Sequence, residues 1–461
     1  MTARIVGSWF SLAALLVAAQ LAFHSAASGA SPTRLASGPM PGYSAMRAAT
    51  LWMQLSGPAD VHIDFWPDDK PAEVRSSTPV TASAQEQYAL HIGLTDLEPG
   101  IRYAYQVVAD GEVITTGNTL HFRTQPLWQW RSDPPPFRLL AGSCAFINEA
   151  DYDRPGRPFG DRYEIFEKMA AQSPDMMLWL GDNVYFREAD LDSPWGMAER
   201  YRHTRALPEL QPLLRATHHY AIWDDHDFGH DNANSSFVFS DTSHDLFRRY
   251  WANPAYGLHG SGGIFTRMSF HDVDFFMLDT RTWRDSDRAP NGPDKSMLGK
   301  VQLRWLKNSL LDSKAPFKVI ASSNQLLNDL TGKEAWTHFP DERAAFLAWL
   351  EETGIEGVLL LSGDTHYSAL FTLSRDDSYP LHELTCSPLT SGPHSHGFDQ
   401  DNPLLVDGTY VDERNFCQLD VSGPKDDRTL RLSVINADGE TQWTREIHAR
   451  DLTSGLVPAL R

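Results

Sequence analysis

Between Gly38 and Pro126 the apolar positions fall in short runs. "TLWMQL", "VHIDFW", "YALHIGL" and "IRYAYQVV" are rich in β-branched and aromatic residues, several alternate with polar ones, and Gly, Pro, Asp and Ser separate them. That is the pattern of strands with one buried face. In "LTDLEPGIRYAYQV" a Leu and a Pro-Gly turn precede Tyr103, as at the tyrosine corner of a β-sandwich. The pattern predicts a fibronectin-III-like β-sandwich over residues 38–126, closed by "HFRTQP" and joined to the rest by "LWQWRSDPPPF". Its expected role is packing and positioning, without chemistry of its own.

After Pro136 apolar strands alternate with helical stretches, among them "DRYEIFEKMAAQ", "GKVQLRWLKNSLLDS" and "DERAAFLAWLEETG". In the last, Asp341 is placed to cap, Glu342 sits in the first turn, and Phe346, Leu347 and Leu350 form one apolar stripe. Such alternation indicates an α/β layer structure. From about Leu404, "LVDGTYV", "NFCQLDV", "TLRLSVI" and "TQWTREI" read as strands, with "NADGE" a hairpin turn. The second domain is therefore expected over residues 136–450. At the start of the chain, Arg4, an apolar span from Ile5 to Phe23 and the small residues "SAASGA" predict a signal peptide over residues 1–30, cut after Ala27 or Ala30. The expected location is extracytoplasmic, periplasmic or secreted. No later stretch approaches the roughly 20 apolar residues needed to span a bilayer.

Composition narrows the chemistry. The 461 residues exceed one ordinary core. A net charge of −20, from 40 basic and 60 acidic residues, argues against nucleic acid and anionic membranes as partners. An anionic substrate would need a local source of positive charge. Three cysteines, Cys144, Cys386 and Cys417, are an odd number for an exported chain; Cys386 and Cys417 could pair, and at least one cysteine has another job.

Chemistry gathers at strand ends. "FRLLAGSC" ends at Cys144, "MMLWLGDNVY" at Asp182, Asn183 and Tyr185, and "YAIWDDHD" at Asp224, Asp225, His226 and Asp227. "DFFMLDTR" ends at Asp279 and Arg281, "KVIASSNQ" at Asn324 and Gln325, and "GVLLLSGDTHYS" at Asp364 and His366. Ligands of open α/β sheets bind beyond the carboxyl ends of the strands. Any one of these residues alone suits a turn, a cap or a core. Together they would repel and be costly to desolvate unless cations lay among them. Thiolate, phenolate, carboxylate and imidazole suit a redox-capable or strongly Lewis-acidic ion such as iron, and carboxylate and amide oxygens suit calcium, magnesium or manganese. Gly142, Gly181 and Gly363 would let the backbone turn tightly and approach the ions.

"GSC", "LGDNVY", "WDDHD", "LDTR" and "SGDTHYSAL", in this order, resemble the alkaline phosphatase D (PhoD-like) family of metallophosphoesterases over residues 38–450. The resemblance implies a four-layer α/β/β/α metallophosphoesterase domain behind the sandwich. It implies phosphate monoester or diester hydrolysis at a binuclear centre through metal-activated hydroxide. Carried over by motif, Cys144, Asp182, Tyr185 and His366 would hold Fe3+. Asp182 would bridge to Ca2+, shared with Asp364 and with Asp231 or Asn232, Mn2+ and Mg2+ being alternatives there. His226 would stand beside the phosphate for leaving-group protonation or transition-state stabilisation. Arg281 is a candidate to touch phosphate, or else to pair with Asp279 or another acid; Asn324 and Gln325 are candidates to touch substrate, or else to support the ligand loops. His394 and His396 are expected on the cleft rim or on a solvated loop, Trp223 in the core, and His218 and His219 in structural roles before a strand. The alternative class is a calcium-dependent extracellular binding or adhesion protein with a degenerate phosphoesterase domain.

Overall fold

The computed structural model describes residues 33–454, except 116, 118, 331–333, 377 and 395–398. The expected signal peptide and His396 lie outside the described residues.

The N-terminal strands form a sandwich. A three-stranded antiparallel sheet (Leu35–Ser44, Ala49–Leu55, Ala89–Leu94) faces a six-stranded one built on Ala59–Pro67 and Arg102–Ala109. Alternation in "VHIDFW" sends Val61, Ile63 and Phe65 inward, where they meet Leu51, Met53, Ile92 and Tyr103. The Tyr103 hydroxyl accepts the Glu98 N–H at 2.9 Å, the tyrosine corner expected of that turn. Trp52 and Met40 point the opposite way and join the main core. There Trp52 Nε1 donates to the Arg249 carbonyl at 2.8 Å. A Cβ at Gly42 would lie 2.2 Å from the Ala252 Cβ, so glycine alone allows that close approach.

Behind the sandwich stand two six-stranded mixed sheets. The first runs His218–Ile222, Met176–Leu180, Phe137–Gly142, Asn415–Ser422, Thr429–Asn436, Thr441–His448; its first three strands are parallel and the rest antiparallel. The second runs Thr266–Phe270, Val273–Met277, Phe317–Ala321, Val358–Ser362, Ser378–Thr385, Ala369–Arg375, parallel within and antiparallel at both edges. Every residue of Met176–Leu180, Val273–Met277, Phe317–Ala321 and Val358–Ser362 is buried. Cover on both faces explains why apolar residues dominate them, with Asp274, Lys318 and Ser362 the buried polar exceptions. Helices such as Ile165–Ala171, Gly299–Asp312 and Pro340–Thr353 add Phe166, Leu306 and Phe346 to the same core, completing the α/β/β/α layers. Cys386, just past the strand Ser378–Thr385, is bonded to Cys417 in Asn415–Ser422, which ties one sheet to the other and leaves Cys144 free and buried.

Three local expectations change. Asp341 is not the helix cap: Phe339 holds that position and Pro340 opens the helix, a place where a missing N–H costs nothing. Glu342 accepts the N–H groups of Met297 and Leu298 at 3.2 and 3.1 Å, ahead of Gly299–Asp312. "LVDGTYV" is not a strand; Leu405 and Val411 make only isolated bridges, to Phe371 and Ser368. His218 and His219 open a strand instead of preceding it.

His219 makes stability depend on pH. Trp179 Nε1 donates to its Nδ1 at 3.0 Å, and its Nε2 lies 3.0 Å from the Leu213 carbonyl. Burial pushes its pKa down to about 3. A folded-state pKa below the unfolded value means the contribution is complete above about pH 6.5 and is lost as pH falls toward the folded value. His219→Gln should therefore flatten the fall in unfolding free energy between pH 7.5 and 4.5 by about 2 to 3 kcal/mol. Urea titrations at the two pH values measure this, and a slope equal to the wild type's would show that the ring is not held neutral.

Candidate metal centre and cleft

The parallel strands of the two sheets end at one edge, where the chemistry-bearing residues collect. Several do so in an uncommon backbone conformation: φ is +61° at Cys144, +52° at Asp182, +67° at Asp364 and +60° at His366. Left-handed backbone at non-glycine residues costs of order 1–3 kcal/mol each and concentrates where structure serves function. Of the three glycines, Gly181 has φ +98°, and an added Cβ would meet the Asp224 Cβ at 2.8 Å. At Gly142 and Gly363 the constraint is space alone, with Leu389 and Ser143 side-chain atoms 2.6 and 2.7 Å away.

Two groups of ligand atoms share one carboxylate. Cys144, Asp182 and His366 present atoms within 4.8 Å of one another, and so do Asp182, Asp225 and His226. The Tyr185 hydroxyl stands 2.9 Å from Asp182 Oδ2 and 3.4 Å from His366 Nε2. His366 Nδ1 lies 2.6 Å from the Gly392 carbonyl, which turns the other ring nitrogen toward the group. The Ser387 hydroxyl donates to Cys144 Sγ at 3.2 Å.

Without cations this arrangement is electrostatically unfavourable. Burial, then the charges of Asp182 and Asp364, pushes the Cys144 thiol well up. Burial, then Asp225 and Asp224, raises Asp182, and burial and Asp224 raise Asp364. Burial and Asp182 likewise raise the Tyr185 phenol. Multivalent cations invert this logic: a thiolate, phenolate, carboxylate and imidazole fit a hard-to-borderline transition ion, and the carboxylates beyond Asp182 fit a second, harder one.

The remaining candidates separate by position. His226 lines a cleft of about 1100 Å³ together with Asp182, Tyr185, Asp231, Asn232, Asp364 and His366. Its backbone N–H donates to Asp182 Oδ1 at 3.3 Å, and its ring lies 4.3 Å from that of Tyr185. The Asp231 side chain is 78 % exposed, with Oδ1 3.8 Å from His226 Nε2. Asn232, at φ +59°, donates its N–H to Asp225 Oδ2 at 2.7 Å and its Nδ2 to Asp231 Oδ2 at 2.9 Å. Arg281 and Asn324 do not line the cleft; both are fully buried. Arg281 Nε donates to Asp224 at 2.6 Å and its Nη atoms to Glu334 at 2.8 and 2.6 Å. Asn324 Nδ2 donates to Asp224 at 3.2 Å. Trp223 is core, and its Nε1 bonds Asp279. His394 lines the cleft and stacks on His366 at 4.5 Å.

A family model described as PhoD-like phosphatase matches residues 141–416. The chain belongs to the PhoD-like phosphatase family. Alkaline phosphatase D of Bacillus subtilis (strain 168) is 24% identical over 330 residues, 61% of this chain and 54% of that protein. The chain thus spans about half the length of this curated PhoD-like relative. A solved structure of PhoD superposes with a TM-score of 0.71 at 17% identity, covering 91% of this chain and 92% of that one. Purple acid phosphatase PPD1 from yellow lupin (Lupinus luteus) seeds gives 0.65 at 13% identity, over 90% and 75%. A model of a domain of unknown function, DUF7800, matches residues 32–126.

Within this PhoD-like chain the strand-end reading names Asp225 without giving it a ligand role, and does not name Glu334. Asp225 opens the one-turn helix Asp225–Phe228. Its signal was the doubled Asp at a strand end, which leaves two carboxylates to share one buried place. Glu334 follows no apolar strand, so the strand-end criterion passed over it.

Proposed function

We propose that the protein is an exported phosphoric ester hydrolase with a binuclear metal centre. In this reading residues 1–30 are a signal peptide, 38–126 a sandwich domain and 136–450 the hydrolase domain. Cys144, Asp182, Tyr185 and His366 would hold Fe3+, and Asp182, Asp225 and Asp364, with Asp231 or Asn232, would hold Ca2+ or another divalent ion. The observation that carries the reading is Asp182 itself: a buried carboxylate within reach of both ligand groups, on the floor of a cleft of about 1100 Å³. When bound, the cations supply Lewis acidity, an anion-binding spot in an acidic protein and a readily ionised water.

The chain's own residues do the rest. Arg281 and Asn324 support the reaction from behind by holding Asp224. Asp224 leads into the turn that carries Asp225 and His226. His226, a quarter exposed into the cleft, would move a proton to the leaving oxygen at Nε2. His226→Ala should cut turnover on an aryl phosphate by roughly 10²- to 10⁴-fold, far more than elemental analysis finds metal content to fall. Equal turnover would remove His226 from the reaction. A colourless, calcium-only wild type inactive on aryl phosphate and bis-aryl phosphate would overturn the hydrolase reading in favour of a binding protein.

A further inference from the structure

The cleft is much larger than a phosphate group, and its outer walls differ from its floor. The floor carries Asp182, Asp225, Asp364 and Glu334. Phe159 stands on the wall near the cysteine-bearing group, 37% exposed, edge-on to Phe146 at 5.1 Å and 5.7 Å from the His366 ring. Its place is built. The Phe159 carbonyl accepts from Arg414 Nη2 at 3.1 Å, and a Cβ on Gly392 would approach Phe159 Cε2 to 3.0 Å. A ring fixed at the mouth of a polar cleft is an available stacking surface.

The lining outside the floor mixes acids (Asp153, Glu188, Asp231, Asp287) with arginines (Arg154, Arg157, Arg187, Arg288). Arg157, two residues before Phe159, and Arg288 both line the cleft and are exposed. Neither guanidinium has an ion pair among the described residues, in a chain of net charge −20. Arginine in such a position suits a phosphate oxygen pair.

Building on the hydrolase reading, we infer that the substrate is a nucleotide with two separate phosphate ester groups. The planar base stacks on Phe159, one phosphate sits by Asp182, and the other pairs with Arg157 and Arg288. Water adds to the phosphorus by Asp182, the bond from that phosphorus to the sugar oxygen breaks, and the sugar oxygen leaves with a proton. The products are inorganic phosphate and a nucleoside monophosphate, with no oxidation or reduction.

Two ratios of kcat/KM on metal-loaded protein test this. Adenosine 5′-monophosphate over ribose 5-phosphate reports the ring. The ratio should be about tenfold or more in the wild type, fall at least about fivefold in Phe159→Ala and Phe159→Leu, and recover in Phe159→Trp. Adenosine 3′,5′-bisphosphate over the monophosphate reports the second charge, and should drop toward one in the Arg157→Ala, Arg288→Ala double variant and at high salt. A wild-type ring ratio near one, or one unmoved by both Phe159 truncations, overturns the inference and leaves the hydrolase reading standing. Failure to hydrolyse any ester, p-nitrophenyl phosphate included, overturns both.

Discussion

Asp182→Asn is expected to empty both halves of the proposed centre at once and to lower turnover by roughly a thousandfold or more, since in that reading it removes the carboxylate on which two metal functions would depend. The expectation rests on geometry: among the described residues no other side chain belongs to both the group with Cys144 and His366 and the group with Asp225 and His226. Cys144→Ser is the contrast. It alters only the first group and should release the transition ion while the second cation stays. The stability effects should have opposite signs with and without metal. Metal-free wild type keeps a carboxyl that burial and its acidic neighbours push well above the usual range, so its ionised form destabilises the fold. The neutral amide removes that cost, and at pH 8 the metal-free variant should melt above the metal-free wild type. Metal-loaded wild type should melt above both, because an ion bound only by the folded state stabilises it by mass action. Elemental analysis, melting curves and turnover on an aryl phosphate measure the three effects. A variant holding both ions at full stoichiometry with near-native turnover would show that Asp182 does not bridge.

Much of this site was legible because it depends on where strands stop. Cys144 and His366 are more than two hundred positions apart, yet each follows a buried apolar run, and parallel strands in layered sheets bring such ends to one edge. The glycines were legible for the same reason, although only Gly181 needed its left-handed backbone; Gly142 and Gly363 needed room. What a strand end does not encode is the direction of the side chain beyond it. Arg281 follows its strand as Asp182 does, but turns into the interior toward Asp224, since a fully buried guanidinium must find carboxylates. The sequence leaves the second cation's late ligand between Asp231 and Asn232 and gives Asp225 no part in it, for a related cause. All three lie in one acidic segment, and burial, which periodicity does not report in a turn, puts Asp225 inside and leaves the Asp231 carboxylate largely exposed. The disulfide needed distance: three cysteines allow three pairings, and the packing of one sheet on the other selects Cys386 with Cys417.

Arg281→Met should be the most destabilising substitution behind the cleft. The guanidinium is fully buried between Asp224 and Glu334, with Ser323 and Asn324 also bonded to Asp224. Methionine fills similar space but leaves buried Asp224 without its cation and Glu334 with Arg284 alone at 3.7 Å, a change that costs about 3 to 5 kcal/mol in comparable settings. The pH dependence follows from the same charges. Burial opposes ionisation of Glu334, but Arg281 outweighs it and holds the pKa down to about 2, whereas burial of Asp224 wins over Arg281 and pushes its pKa up to about 6. Removing the guanidinium raises both, so the folded variant binds protons that the wild type does not. Its stability relative to wild type therefore falls as pH rises. Urea titrations should find a larger deficit at pH 8 than at pH 5, and a deficit independent of pH would show that lost packing, not uncompensated charge, is the cause. Arg281→Lys sharpens the test, because one ammonium keeps the charge but lacks the fork that spans Asp224 and Glu334. It should recover the pH dependence more fully than the stability. Asp224 leads directly into the turn bearing Asp225 and His226, so in Arg281→Met the second cation should be lost before the one held with Cys144.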